Sequence, residues 1–181
     1  MKINIEAKIE IPEKVEVKIE DSIINVKGPK GEISKKILHP KLKIDVQDKN
    51  IVISSKKATK REKKMTGTFS AHIKNMLKGV VEPFVYKLKI CSSHFPMTAS
   101  VKGNEFSVQN YLGESVPRTL GFKEGVNIKV EGAEITVESS DKELAGQTAA
   151  AIEQLCKITN RDRRIFQDGI YIISKAGKEI K

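Results

Sequence analysis

Residues 59–83 read TKREKKMTGTFSAHIKNMLKGVVEP. Apolar side chains recur at Met65, Phe69, Ile73, Met76 and Leu77, the spacing that lines one face of a helix. The pattern predicts a helix over Thr59–Lys78. Gly79 is a candidate stop, because glycine readily takes the backbone conformation that ends a helix. Pro83 bars further extension, since the residue before a proline is pushed out of helical geometry. A boundary is therefore expected near Val81-Glu82-Pro83, giving domains 1–81 and 82–181.

One pattern lies on both sides of that boundary. Ile24-Asn25-Val26 leads to Gly31-Glu32, and Phe106-Ser107-Val108 leads to Gly113-Glu114. Ile44, Val46, Ile51 and Ile53 answer to Ile128, Val130, Ile135 and Val137. The helix positions Gly67, Ala71, Ile73 and Met76 answer to Gly146, Ala150, Ile152 and Leu155. Near-constant offsets of this kind mark an internal duplication. Alternation at Val15/Val17/Ile19, Ile24/Val26, Leu42/Ile44/Val46 and Ile51/Ile53 reads as strands, with a hairpin turn expected at Asp48-Lys49-Asn50. Ser140-Asp141-Lys142-Glu143 has the spacing of a capping box, followed by Leu144, Thr148, Ile152 and Leu155 on one helical face. The fold expected is α+β: two tandem duplicated domains, each a small, mostly antiparallel β-sheet system packed on one helix.

Charge narrows the partner. The net charge is +10, with 31% charged residues, which favours a polyanion such as nucleic acid or an anionic membrane. Residues 1–81 hold 19 Lys+Arg against 10 Asp+Glu; residues 82–181 hold 14 against 13. The arginines are distributed the other way: only Arg61 lies in the first half, while Arg118, Arg161, Arg163 and Arg164 lie in the second. Lysine gives diffuse attraction, whereas the arginine fork gives fixed geometry. Nonspecific attraction is thus expected of the first half and defined docking of the second. No apolar run approaches the ~20 residues of a spanning helix. The N-terminal MKINIEAKIEIP lacks a signal-peptide apolar region, so Cys91 and Cys156 are expected to be reduced, buried thiols in a cytosol.

The densest chemistry is in Gln154–Lys175, QLCKITNRDRRIFQDGIYIISK. Three arginines within four residues suit phosphate oxygens and guanine edges. Phe166 is expected to anchor the segment in a core. Asp168-Gly169 is expected to turn the backbone, and a positive φ at Gly169 would make a β-branched replacement strained. Ile170–Ile173 reads as a strand that holds the basic loop.

This run resembles the C-terminal signature of archaeal and eukaryotic members of the large-subunit ribosomal protein L-six family. Gln154, Ile158, Arg161, Arg164, Phe166, Asp168, Gly169, Ile170, Tyr171, Ile172 and Lys175 match it position by position. Thr66-Gly67-Thr68-Phe69 through Asn75-Met76-Leu77-Lys78-Gly79-Val80 is similar to the family's first-domain helix, and Val26-Lys27-Gly28-Pro29-Lys30-Gly31-Glu32 to its first-domain hairpin. The resemblance implies duplicated domains and a structural constituent of the large ribosomal subunit. It implies binding to large-subunit rRNA near the sarcin–ricin loop and stalk base, beside neighbouring ribosomal proteins and the factor-binding region, in a cytoplasmic ribosome. It implies no cofactor and no small-molecule substrate. In that frame Arg161, Arg163 and Arg164 clamp phosphates, Lys157 and Lys175 add charge, and Gln167 meets a ribose or base edge. Lys102, Gln109, Asn110 and Arg118 line the same face if the second domain's strands and turns gather there. The alternative is a duplicated RNA-binding module outside the ribosome, in RNA processing or regulation.

Other motifs weigh less. Gly28-Pro29-Lys30-Gly31 spells the GxxG of a KH loop, but alternating apolar residues on both sides favour a hairpin turn, one that could touch phosphate through Lys27 and Lys30. Lys56, Lys57, Lys60, Arg61, Lys63 and Lys64 suit RNA contact and a solvated helix start equally. Cys91-Ser92-Ser93-His94 is half of a zinc motif whose other half is missing, with Cys156, His39 and His72 scattered. No nucleophile–base constellation or P-loop stands out, and an enzyme is not expected.

Overall fold

The structure, a computed structural model, describes residues 3–20, 22–47 and 49–180. The chain divides into two compact units, Met1–Pro83 and Phe84–Lys181. The first contains β1 (Ile3–Glu10), β2 (Glu16–Glu20), β3 (Ile23–Gly28), β4 (Gly31–Lys36), β5 (Lys43–Gln47), β6 (Asn50–Ala58) and α1 (Lys60–Val81). These strands form two antiparallel sheets, ordered β1-β6-β5 and β2-β3-β4. Cross-strand partners share a face, so the pairs Ile9↔Ile51, Ile44↔Ile53 and Val26↔Ile33 gather apolar groups on one side of each sheet. Phe69, Ile73, Met76, Leu77 and Val80 of α1 complete that core. Gln47 pairs with Asn50 across the expected hairpin turn, whose Asp48 lies outside the described residues.

α1 starts where the sequence indicates. Thr59 is the cap, and its backbone N–H and hydroxyl both donate to the Glu62 carboxylate. Lys41 Nζ lies 3.3 Å from Glu62 Oε1. Hydrogen bonds from Thr59 chiefly, assisted by Lys41, hold the Glu62 carboxyl at a pKa of about 2. The helix does not stop at Gly79. It runs on to Val81 because its last turn is covered: Gly79 and Val80 are buried, and the Lys30 N–H donates to the Val80 carbonyl at 3.0 Å. Gly28 pairs with Gly31 across a two-residue turn, so the GxxG segment is a hairpin tip lying on the helix end. A Cβ on Gly28 would stand 2.8 Å from Val80 Cβ, closer than any side chain tolerates.

The second unit repeats this order: β7 (Phe84–Cys91), β8 (Thr98–Lys102), β9 (Glu105–Gln109), a 3-10 turn at Tyr111–Gly113, β10 (Arg118–Gly121), β11 (Val126–Glu131), β12 (Glu134–Ser139) and α2 (Lys142–Leu155). It then adds β13 (Gly169–Lys175) and β14 (Lys178–Glu179). β10-β9-β8 matches the first unit's second sheet, while β11-β12-β7 gains β13 and β14 on the other edge of β7. Tyr86, Leu88, Ile90, Ile135, Val137 and Ile170 are buried in one core with Phe106, Val108 and Tyr111. The cap of α2 is Asp141 rather than Ser140: its carboxylate accepts from the Glu143 N–H at 2.9 Å. The buried face of α2 is Ala145, Thr148, Ala149 and Ile152, with Leu144 and Leu155 only half-buried at its margins. Small alanines let the helix approach the sheet closely. Cys156 is buried, which raises its thiol pKa to about 11, but Cys91 is only half-buried, because it ends β7 on the sheet's open side.

Candidate nucleic-acid interface

The arginines lie on the connection between α2 and β13, the point where the duplicated pattern ends and the added hairpin begins. Both ends of this connection are fixed. At its start the Tyr111 hydroxyl donates to the Cys156 carbonyl at 2.8 Å, and Arg118 Nη1 donates to the Leu155 carbonyl at 2.7 Å. These donors satisfy carbonyls that a helix end leaves without partners. At its end Asp168 is 4% exposed, and its Oδ1 accepts from the Ser93 N–H at 2.6 Å and the Ser93 hydroxyl at 2.7 Å. Asp168 therefore anchors the loop after β7 instead of turning the chain. Gly169 does not have positive φ.

Between the anchors the loop folds on itself. The Asp162 carbonyl accepts from the Ile165 and Phe166 N–H groups at 3.2 and 2.9 Å. Asn160 takes the left-handed region, φ 57°, where asparagine is better tolerated than most residues. The Asp162 carboxylate accepts from the Arg164 N–H at 2.9 Å and from Arg164 Nη2 at 2.8 Å. The Arg164 side chain bond, with the backbone bond second, lowers the Asp162 pKa. The Arg161 guanidinium carbon lies 4.9 Å from the centre of the half-buried Phe166 ring. Gln167 Nε2 donates to the Arg164 carbonyl at 3.3 Å. The structure thus gathers Lys157, Arg161, Arg163, Arg164 and Gln167 in one loop, all exposed.

Of the other expected site residues, Arg118 lies at the start of this loop and the rest are spread over the unit. Arg118 pairs with Val108, so it shares the inner face of that sheet, whereas Gln109 points to the outer one. The expectation that they line one face fails on this register. Arg118 is drawn into the fold: Nε and Nη2 donate to Glu114 at 2.8 and 2.6 Å, and the guanidinium stands 4.2 Å from the Tyr111 ring centre. Those bonds are the main cause lowering the Glu114 pKa, and Arg161 adds to it. Asn110 Nδ2 donates to the Pro96 carbonyl at 3.1 Å. Lys102 pairs with Glu105, and Gln109 with Thr98, at opposite ends of one hairpin, about 13 Å apart by strand rise. Lys175 ends β13, six residues from Gly169, roughly 20 Å along the strand by the same measure.

Two groups near the loop were not among the expected site residues. Lys89 of β7 pairs with Tyr171 of β13. Both line an open groove of about 670 Å³ with Cys91, Ser93, Arg163 and Gln167. The alternation of Tyr86, Leu88 and Ile90 with Lys87 and Lys89 carried the signal for β7 and for its outward lysines.

An α+β duplication whose added hairpin carries an exposed basic loop offers a surface suited to a polyanion. Comparison with known proteins narrows this. The family described as Ribosomal protein L6 matches residues 11–82 and 95–169. The Large ribosomal subunit protein uL6 of Nanoarchaeum equitans (strain Kin4-M) is 46% identical over 184 residues, covering 97% of this chain and 96% of the relative. Its namesake in Methanococcus vannielii is 45% identical over 174 residues, covering 96% of each. The chain belongs to the ribosomal protein L6 family. That family is structural, not enzymatic.

Proposed function

We propose that this protein is a structural constituent of the large ribosomal subunit in the cytoplasm, bound to large-subunit rRNA near the sarcin–ricin loop and the stalk base. Neighbouring ribosomal proteins at the stalk base are its protein partners. The observation that carries the reading is the arginine loop: exposed cations on a segment fixed at both ends by buried groups. Such a loop meets phosphates without first losing conformational freedom. Arg161, Arg163 and Arg164 engage phosphates, Lys157 adds charge, and Gln167 meets a ribose or base edge. Lys102, Lys175 and the lysine-rich first unit supply longer-range attraction. Gln109 contributes from the outer face of its hairpin. Arg118 and Asn110 act by holding the turn that braces α2. Protein–rRNA crosslinking in assembled large subunits tests this. Crosslinks from residues 157–167 to the sarcin–ricin region are expected. Sedimentation apart from the large subunit would overturn it.

A further inference from the structure

Tyr171 stands two residues after Gly169, on the same outer face of β13. A Cβ on Gly169 would lie 3.2 Å from Tyr171 Cζ, 3.2 Å from its hydroxyl oxygen and 3.3 Å from Cε2. Three near-equal distances to non-collinear atoms place that Cβ over the plane of the ring; an approach along the edge would leave Cζ clearly the farthest. The hydroxyl-bearing rim of the ring therefore packs over Gly169. Its hydroxyl donates to the Gln167 carbonyl at 3.0 Å, which fixes its orientation. Tyr171 is 39% exposed and lines the groove with its cross-strand partner Lys89, with Arg163 and with Gln167.

We propose that Tyr171 is a stacking platform for one unpaired RNA base, with Lys89 and Arg163 on the flanking phosphates. This rests on the RNA-binding reading of the arginine loop. Aromatic faces bind bases by stacking, and a ring already immobilised loses little further freedom on doing so. The nearby carboxylates do not face the ring. Asp168 is turned inward to Ser93, and Glu134 stands on the far side of Lys89 in the strand register. A base within a duplex is stacked on both faces and has none to offer, so the occupant is a nucleotide turned out of a helix.

The test uses the full chain and a transcript of archaeal large-subunit rRNA, with Tyr171→Leu, Tyr171→Phe, Tyr171→Trp and Arg163→Ala. Thermal unfolding of each checks that it is folded. Leucine should weaken binding about fivefold to a hundredfold, and phenylalanine by less than about threefold. The chain has no tryptophan, so emission from Tyr171→Trp reports this position directly and should be quenched by the RNA. Wild-type affinity in Tyr171→Leu, alongside weakened Arg163→Ala, would overturn the platform and leave the arginine loop standing. So would tryptophan emission unchanged at saturating RNA. Absence of selective binding by the wild-type chain would overturn both.

Discussion

Replacing Arg118 with lysine keeps the charge and removes the fork. Arginine at this position makes two bonds to Glu114, one to the Leu155 carbonyl and a contact with the Tyr111 ring. The exposed pair with Glu114 contributes about 0.5–1 kcal/mol once solvent screening is counted. The bond from a charged donor to a part-buried carbonyl contributes about 1.5–2 kcal/mol, and the ring contact about 0.5–1 kcal/mol. A lysine ammonium reaches one of these partners at a time, so the loss should be roughly 1.5–3 kcal/mol. A unit of about 100 residues loses roughly 4–8 °C of melting temperature per kcal/mol, giving a fall of roughly 6–24 °C in the second unit's transition. Calorimetry of the full chain measures this, with hydrogen exchange at α2 and β10 assigning the transition. RNA binding by the folded variant should keep its salt dependence. An unchanged melting temperature together with weakened RNA binding would mean that the Arg118 fork meets the RNA, and would refute the bracing role.

Gly28→Ala should destabilise the first unit by about 1–3 kcal/mol through its clash with Val80, read as a lower denaturation midpoint; an open site would instead gain from the same change. Asp162→Asn keeps an acceptor for the Arg164 N–H while releasing its side chain. RNA affinity should rise at low salt and the salt slope steepen by up to about 0.9, measured by filter binding. Glu62 has a pKa depressed from 4.5 to about 2. The native state binds its proton more weakly than the unfolded state does, so its contribution is fully present above the unfolded value and is lost as pH falls through 2. An acid titration followed by circular dichroism should show that loss in the wild type and a shallower one in Glu62→Gln.

Much of the fold is legible because local patterning and tertiary packing agree. The period at Phe69, Ile73 and Met76 marks the buried face of α1, and Ile24, Val26, Ile51 and Ile53 are each fully buried. The arginine loop is legible as well, since its residues are neighbours in sequence. What failed depends on partners distant in the chain. Gly79 reads as a helix stop until the hairpin tip at Gly28–Gly31 covers the helix end. Ser140 and Asp141 are both good caps, and only the entry angle of the chain chooses between them. Arg118 reads as a free cation because nothing local shows that its strand pairing turns it inward. Gly169 illustrates the same limit: glycine is needed there for the ring lying over it, not for a turn.

The insertion of β13 beside β7 has a consequence for the order in which the protein can be made. Cys91 pairs with Gly169, and Leu88 with Ile172, so the first strand of the second unit waits for residues synthesised long afterwards. The sheets of the first unit close within its own 83 residues and can form while the rest of the chain is still being translated. During that interval one edge of β7 carries backbone groups without a mate, a surface on which another strand could wrongly settle. The alternating Lys87 and Lys89 on β7 repel such a visitor carrying like charge. The arginine loop is anchored at both ends only when β13 zips into place, so its shape is acquired well after the sheets of the first unit have closed.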